Sequence, residues 1–128
     1  MLQHARGKIT HYKLQRKRPY LYLVEGDDFA FLPNEDFDCV HAYGVFPSCN
    51  LEVIQLIIRA VRPLLKPDGA FDFTYYLSTG TPYTTKGMYY FHKQEEIDAA
   101  LKANGLAIEW SLPISEFHVR ARARIVAL

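Results

Sequence analysis

The sequence has only two cysteines, Cys39 and Cys49. Alone they make neither a disulfide framework nor a four-ligand zinc site, so both are read as reduced and no metal centre is expected. No apolar run approaches the ~20 residues that a membrane helix needs, and the first residues lack the charge, apolar stretch and cleavage site of a signal peptide. The expectation is a cytoplasmic protein without a membrane segment. Internal repeats, low-complexity stretches and interdomain linkers are also missing, which leaves one domain spanning residues 1–128. The 128 residues are 49% hydrophobic, 14% aromatic and 23% charged, a composition that supports one packed core without a covalent staple.

Charge is scarce in one sign at a time. The first 19 residues hold Arg6, Lys8, Lys13, Arg16, Lys17 and Arg18 and no acid, whereas Tyr20 to Ile58 contains seven acids and no lysine or arginine. The basic run, with Leu2, Ala5, Ile9 and Tyr12 at helical spacing, reads as the solvated face of an amphipathic helix ended by Pro19. Arg120, Arg122 and Arg124 alternate with Val119, Ala121, Ala123 and Ile125, which puts the arginines on one face of a strand. Both basic features are compatible with phosphate binding. A net charge of +1 and the lack of a nucleic-acid motif rank that partner last.

Strands are predicted at Tyr20–Glu25, Phe37–Tyr43, Ala70–Tyr76, Leu106–Leu112 and His118–Leu128. Asn50 is a plausible N-cap for a helix containing Leu51, Ile54, Ile57, Ile58, Val61 and Leu65, kinked by Pro63 and terminated at Lys66-Pro67-Asp68-Gly69. A second helix is predicted from about Lys93 to Asn104, with His92 in an N-cap-like position and Gly105 as its stop. Residues 77–90 show no period and read as a long loop. The order of elements implies an α/β domain with a mostly parallel sheet and a closing antiparallel hairpin.

In that order several segments resemble the class I S-adenosylmethionine-dependent methyltransferases of small-molecule type. Gly26-Asp27-Asp28-Phe29-Ala30-Phe31-Leu32-Pro33 resembles the family's Asp-x-x-x-Leu-Pro segment after its third strand. Phe37-Asp38-Cys39-Val40 is similar to the opening of its fourth strand, and Leu64-Leu65-Lys66-Pro67-Asp68-Gly69 to the turn before its fifth. Phe91-His92-Lys93-Gln94-Glu95-Glu96-Ile97, with Leu101 and Asn104-Gly105-Leu106, resembles the family's last helix and the glycine leading into its sixth strand. Met1-Leu2-x-x-Ala5-Arg6 is similar to a motif in its second helix, which implies an N-terminally truncated, partial Rossmann-like methyltransferase fold.

The resemblance implies S-adenosyl-L-methionine as cofactor, with Asp28 accepting from the adenine amino group and Phe29 covering the ring. Tyr43 and Gly44, at the carboxyl end of a central strand, are where ligands enter open α/β sheets and are candidates for cofactor binding. Tyr75, Tyr76 and Tyr83 are candidates for a small-molecule acceptor. No catalytic residue is singled out, because methyl transfer depends mainly on alignment of the two reactants. Many relatives carry a histidine after the fourth strand, where this sequence has Val45-Phe46-Pro47-Ser48-Cys49.

No Gly-x-Gly occurs in these 128 residues, so the glycine-rich cofactor turn of the family is lacking. In the family's strand order, 3-2-1-4-5-7-6, absence of strands one and two leaves Phe37–Tyr43 with an open edge. The expectation is that Tyr20–Glu25 moves across to pair with it, or that a second copy or partner chain covers it. An inactive remnant that works as an interaction module through this edge is the alternative to an enzyme.

Overall fold

The computed structural model describes residue 8 and residues 32–78, 84–85 and 89–126. In chain order these residues form β1 (Phe37–Ala42), α1 (Leu51–Val61), β2 (Leu65–Leu77), β3 (Thr84–Thr85), β4 (Tyr89–His92), α2 (Gln94–Lys102), β5 (Leu106–Pro113) and β6 (His118–Ile125). The predicted opening helix and the strand at Tyr20–Glu25 lie outside the described residues.

β2 organises the sheet. One of its edges pairs antiparallel with β6, from Ala70 opposite Arg124 to Tyr76 opposite His118, and β6 pairs antiparallel with β5. The other edge carries β1 in parallel as far as Ala42 opposite Phe73, and beyond it β4 in parallel at Tyr76 opposite Phe91. Across its middle the sheet therefore reads β1-β2-β6-β5, with β3 and β4 extending the carboxyl end of β1's line. It is a mixed α/β sheet, parallel strands joined to a closing antiparallel pair.

Alternation sorts the faces. Phe71, Phe73 and Tyr75 of β2 and Val119, Ala121 and Ala123 of β6 form one buried cluster with Ile54, Ile57, Ile58 and Val61 of α1 and Ile97, Ala100 and Leu101 of α2, so both helices cover the same face. The opposite face presents Cys39 and His41 of β1, Asp72 and Thr74 of β2, and the three arginines of β6.

Local chemistry explains most boundaries. The Asn50 side chain accepts a hydrogen bond from the Val53 N–H at 2.9 Å, as an N-cap should, and starts α1. The helix stops at Val61 rather than running to Leu65, because Pro63 diverts Arg62–Leu64 into a 3-10 turn. Leu65 already pairs with Phe37, and Lys66–Gly69, expected to end the helix, are instead accommodated in a register shift of β2 before Ala70 meets Cys39. His92 does not cap α2. It belongs to β4, its Nε2 lying 3.1 Å from the Cys49 carbonyl oxygen, and Lys93 is the N-cap. Gly105 follows α2 with φ +73°, the left-handed conformation expected after a helix.

Candidate functional site

The carboxyl ends of β1, β2 and β4 and the start of β6 converge on one end of the sheet. Just past β1 the chain turns at Gly44, whose φ of +73° suits glycine and whose N–H donates to the Thr74 hydroxyl oxygen at 2.8 Å. That bond ties the turn to β2. Phe46, 0% exposed, then anchors the following 3-10 turn against Phe71 and Phe73, with ring centroids at 6.0 and 5.3 Å. A β-carbon placed on Gly44 would meet nothing within 4 Å, so the backbone at this turn is open to approach.

Tyr43 is 45% exposed. Its ring meets His41 edge-on at 5.3 Å, and the Arg120 guanidinium carbon lies 5.2 Å from its centre. Tyr76, at the end of β2, is the hub of an aromatic cluster with centroid distances of 5.7 Å to Tyr89, 5.2 Å to Phe91, 5.2 Å to Phe117 and 5.1 Å to His118. Tyr89 and Phe117 are exposed, so the cluster presents aromatic surface at the sheet's end.

The expected pairing of Tyr75 with Tyr76 at an acceptor site is split by the structure. Successive strand residues face opposite sides, and Tyr75 is fully buried beneath the helices, its hydroxyl donating to Gln94 Oε1 at 2.6 Å. Burial pushes its phenol above the usual range. Asp28, Phe29 and Tyr83 lie outside the described residues.

On the polar face Asp72 is 0% exposed, and the Arg122 fork donates to both its oxygens, Nε at 2.7 Å and Nη2 at 2.9 Å. Those hydrogen bonds hold the carboxyl below its ordinary value, against the desolvation that would raise it. His41 Nδ1 is 3.8 Å away. The ligand atoms of Cys39, His41 and Asp72 lie within 4.8 Å of one another, yet a metal there would have to displace Arg122 from the carboxylate. Burial and the Asp72 charge push the Cys39 thiol up, which disfavours a thiolate. Trp110 on β5 stacks near both Arg120 and Arg122, at 5.5 and 5.4 Å. Sequence reasoning missed Asp72 and Trp110. The signal for Asp72 was a lone carboxylate between Phe71 and Phe73 in a central strand, which burial obliges to find a cation.

Along β1 the outer edge pairs with no strand among the described residues. Beside it runs an apolar groove of about 480 Å³, bordered by Phe37, Val40, Ala42, Val45, Ile57 and Leu64.

The strand order β1-β2-β6-β5, with two helices on one face, corresponds to the 4-5-7-6 half of the class I S-adenosylmethionine-dependent methyltransferase fold, and the chain has that fold in part. No protein-family profile matches the chain, and no curated protein matches it. Solved structures do. A S-adenosylmethionine-dependent methyltransferase from Clostridium acetobutylicum superposes with a TM-score of 0.72 at 14% identity, covering 98% of this chain and 71% of that one. An O-methyltransferase of neocarzinostatin biosynthesis, crystallised with S-adenosylhomocysteine and 1,4-dihydroxy-2-naphthoic acid, gives 0.73 at 13% identity, over 95% of this chain and 38% of that one. The 1,6-didemethyltoxoflavin-N1-methyltransferase of Burkholderia thailandensis gives 0.64 at 18% identity, over 74% and 46%. The chain thus spans less than half the length of the last two. The Burkholderia enzyme, like the neocarzinostatin one, was crystallised with S-adenosylhomocysteine bound. Among the described residues no helix is long and apolar enough to cross a membrane.

Proposed function

We propose that this chain forms the carboxyl-terminal part of a methyltransferase domain that transfers a methyl group from S-adenosylmethionine to a small-molecule acceptor. The observation that carries the reading is the strand order, matched over 98% of the chain by the Clostridium enzyme. Two of the neighbours were crystallised with ring compounds, 1,6-didemethyltoxoflavin and 1,4-dihydroxy-2-naphthoic acid, which suits the aromatic surface of Tyr76, Tyr89 and Phe117 as an acceptor wall.

The residues present fit one wall of the cofactor site. The open backbone at Gly44 and the half-exposed Tyr43 stand at the carboxyl end of β1, where a ligand of an open α/β sheet rests. Asp28 and Phe29 are proposed for the adenine edge, on the resemblance of their segment. The sequence holds no glycine-rich turn for the methionine end, so the fit is incomplete and no chemical step is derived through the cofactor.

Titration calorimetry with S-adenosylhomocysteine tests the proposal. Saturable binding that Asp28→Ala or Gly44→Val weakens supports it, and no heat at millimolar ligand refutes cofactor binding by this chain. The β1 edge, which pairs with no strand among the described residues, and its apolar groove favour a second reading, an interaction module that pairs through this edge. Sedimentation shows which holds: a chain that self-associates, and dissociates when Val40→Lys charges the groove, follows the second reading.

A further inference from the structure

The arginines of β6 share one face but differ in their partners. Arg122 is spent on Asp72, and Arg124 donates to Glu109 at 2.6 Å and to the Asp68 carbonyl at 2.7 Å. Arg120, the one nearest the carboxyl end of the sheet, forms no ion pair with a carboxylate among the described residues. Its Nε is buried without a hydrogen-bond partner, and so is Nε2 of His118, two residues before it on the same face. The Thr74 hydroxyl, opposite Arg120 in the register, already accepts from Gly44. The Arg120 head is held instead by rings, 5.2 Å from the centre of Tyr43 and 5.5 Å from that of Trp110.

Rings orient a guanidinium without neutralising it, and an unmade hydrogen bond at a buried donor is costly. One unpartnered donor on a cation kept in place by aromatic faces, beside a ring nitrogen of His118 that donates when it carries the proton, fits a planar oxyanion that accepts in a fork and stacks as it does so. Next to them stands the cluster of Tyr76, Phe117 and Tyr89, which supplies apolar surface to the remainder of such a ligand.

We propose that Arg120, assisted by His118 in the tautomer that carries its proton on Nε2, recognises the carboxylate of a planar aromatic ligand. Resting on the methyltransferase reading above, this makes the acceptor class an aromatic carboxylic acid, with Arg120 as its specificity residue.

Calorimetric titration of the full chain with trans-cinnamate and with its uncharged analogue cinnamamide tests this. Cinnamate should bind more tightly than cinnamamide, and Arg120→Gln should lower cinnamate affinity by roughly ten- to a hundredfold while leaving cinnamamide unchanged. Arg124→Gln, at the ion-paired arginine, should alter neither. Circular dichroism checks that each variant is folded. Should Arg120→Gln unfold, His118→Gln decides, since it leaves the guanidinium in place and should weaken cinnamate alone. Equal binding of the two probes, no binding of either, or equal losses from Arg120→Gln and Arg124→Gln would overturn the proposal. Loss of S-adenosylhomocysteine in step with cinnamate in Arg120→Gln would assign the guanidinium to the cofactor and also overturn it. Intact cinnamate binding in a wild-type chain that ignores S-adenosylhomocysteine would instead remove the methyltransferase reading and leave the carboxylate site standing.

Discussion

Replacing Phe46 by alanine tests whether the turn that carries the site is held by packing. Phe46 is 0% exposed and wedged between Phe71 and Phe73, directly after the Tyr43–Gly44 turn. Losing the ring forfeits about 1.5–3 kcal/mol of burial. Some 100 Å³ of side-chain volume disappears as well, and at about 24 cal/mol per Å³ an uncollapsed cavity adds about 2 kcal/mol. The sum, about 3–5 kcal/mol, is a large share of the ~5–15 kcal/mol that holds a domain together. Phe46→Leu keeps most of the volume and should cost less than half as much. Urea unfolding followed by far-UV circular dichroism measures both. Hydrogen exchange gives the local readout, because the Ser48 and Cys49 amides, bonded to the Val45 and Phe46 carbonyls at 3.1 and 2.9 Å, should lose protection first. A Phe46→Ala loss below about 1.5 kcal/mol, or Leu as costly as Ala, would show that the site turn is held by something other than this packing.

Asn50→Ala should destabilise the chain by about 1 kcal/mol, read from the same unfolding curves, because the Val53 N–H loses its cap. Gly44→Ala should cost about 1–2 kcal/mol from the left-handed backbone alone, since its β-carbon meets no neighbour. Gly69→Ala should cost more, because there the β-carbon would stand 2.9 Å from the backbone oxygen of Phe37, which cannot give way cheaply. Asp72, held below its ordinary value of 3.8 by Arg122, stabilises the fold above that value and loses its contribution as pH falls through the lowered one. In Arg122→Gln burial dominates and raises the Asp72 carboxyl, so the variant's thermal midpoint should lag the wild type most at neutral pH and converge with it in acid.

The elements that periodicity can report are legible in the sequence. The apolar stripe from Leu51 to Val61 and the alternation of Val119, Ala121 and Ala123 with the three arginines both translate directly into buried and polar faces. Tertiary pairing decided the rest. β4 is four residues long and exists because Phe91 and His92 extend the line of β1 beside Tyr76 and Leu77, a contact no local pattern announces. The same holds for Lys66–Gly69, whose turn-like composition is absorbed by a register shift opposite Phe37. At the candidate site, the place of Tyr43 and Gly44 at the end of a strand was legible, and the structure puts them just past β1. The Arg120–Tyr43–Trp110 stack joins two strands to the turn after a third and emerges only when the sheet is assembled.

On the methyltransferase reading proposed above, the edge of β1 that pairs with no strand among the described residues and the missing part of the cofactor wall fall in one place. In the fold that this sheet matches, the strand beside β1's counterpart is the one that ends in the glycine-rich turn, so the backbone that would satisfy β1's unpaired groups also delivers the amides a cofactor needs. Tyr43 and Gly44 close that same strand line, and Val40, Ala42 and Val45 border the apolar groove alongside it. On that reading, covering the edge and completing the cofactor wall are geometrically coupled. An occupant that shields the β1 amides from exchange without strengthening S-adenosylhomocysteine binding would act as a plug of the groove, whereas one that supplies a strand ending in glycine should strengthen both together.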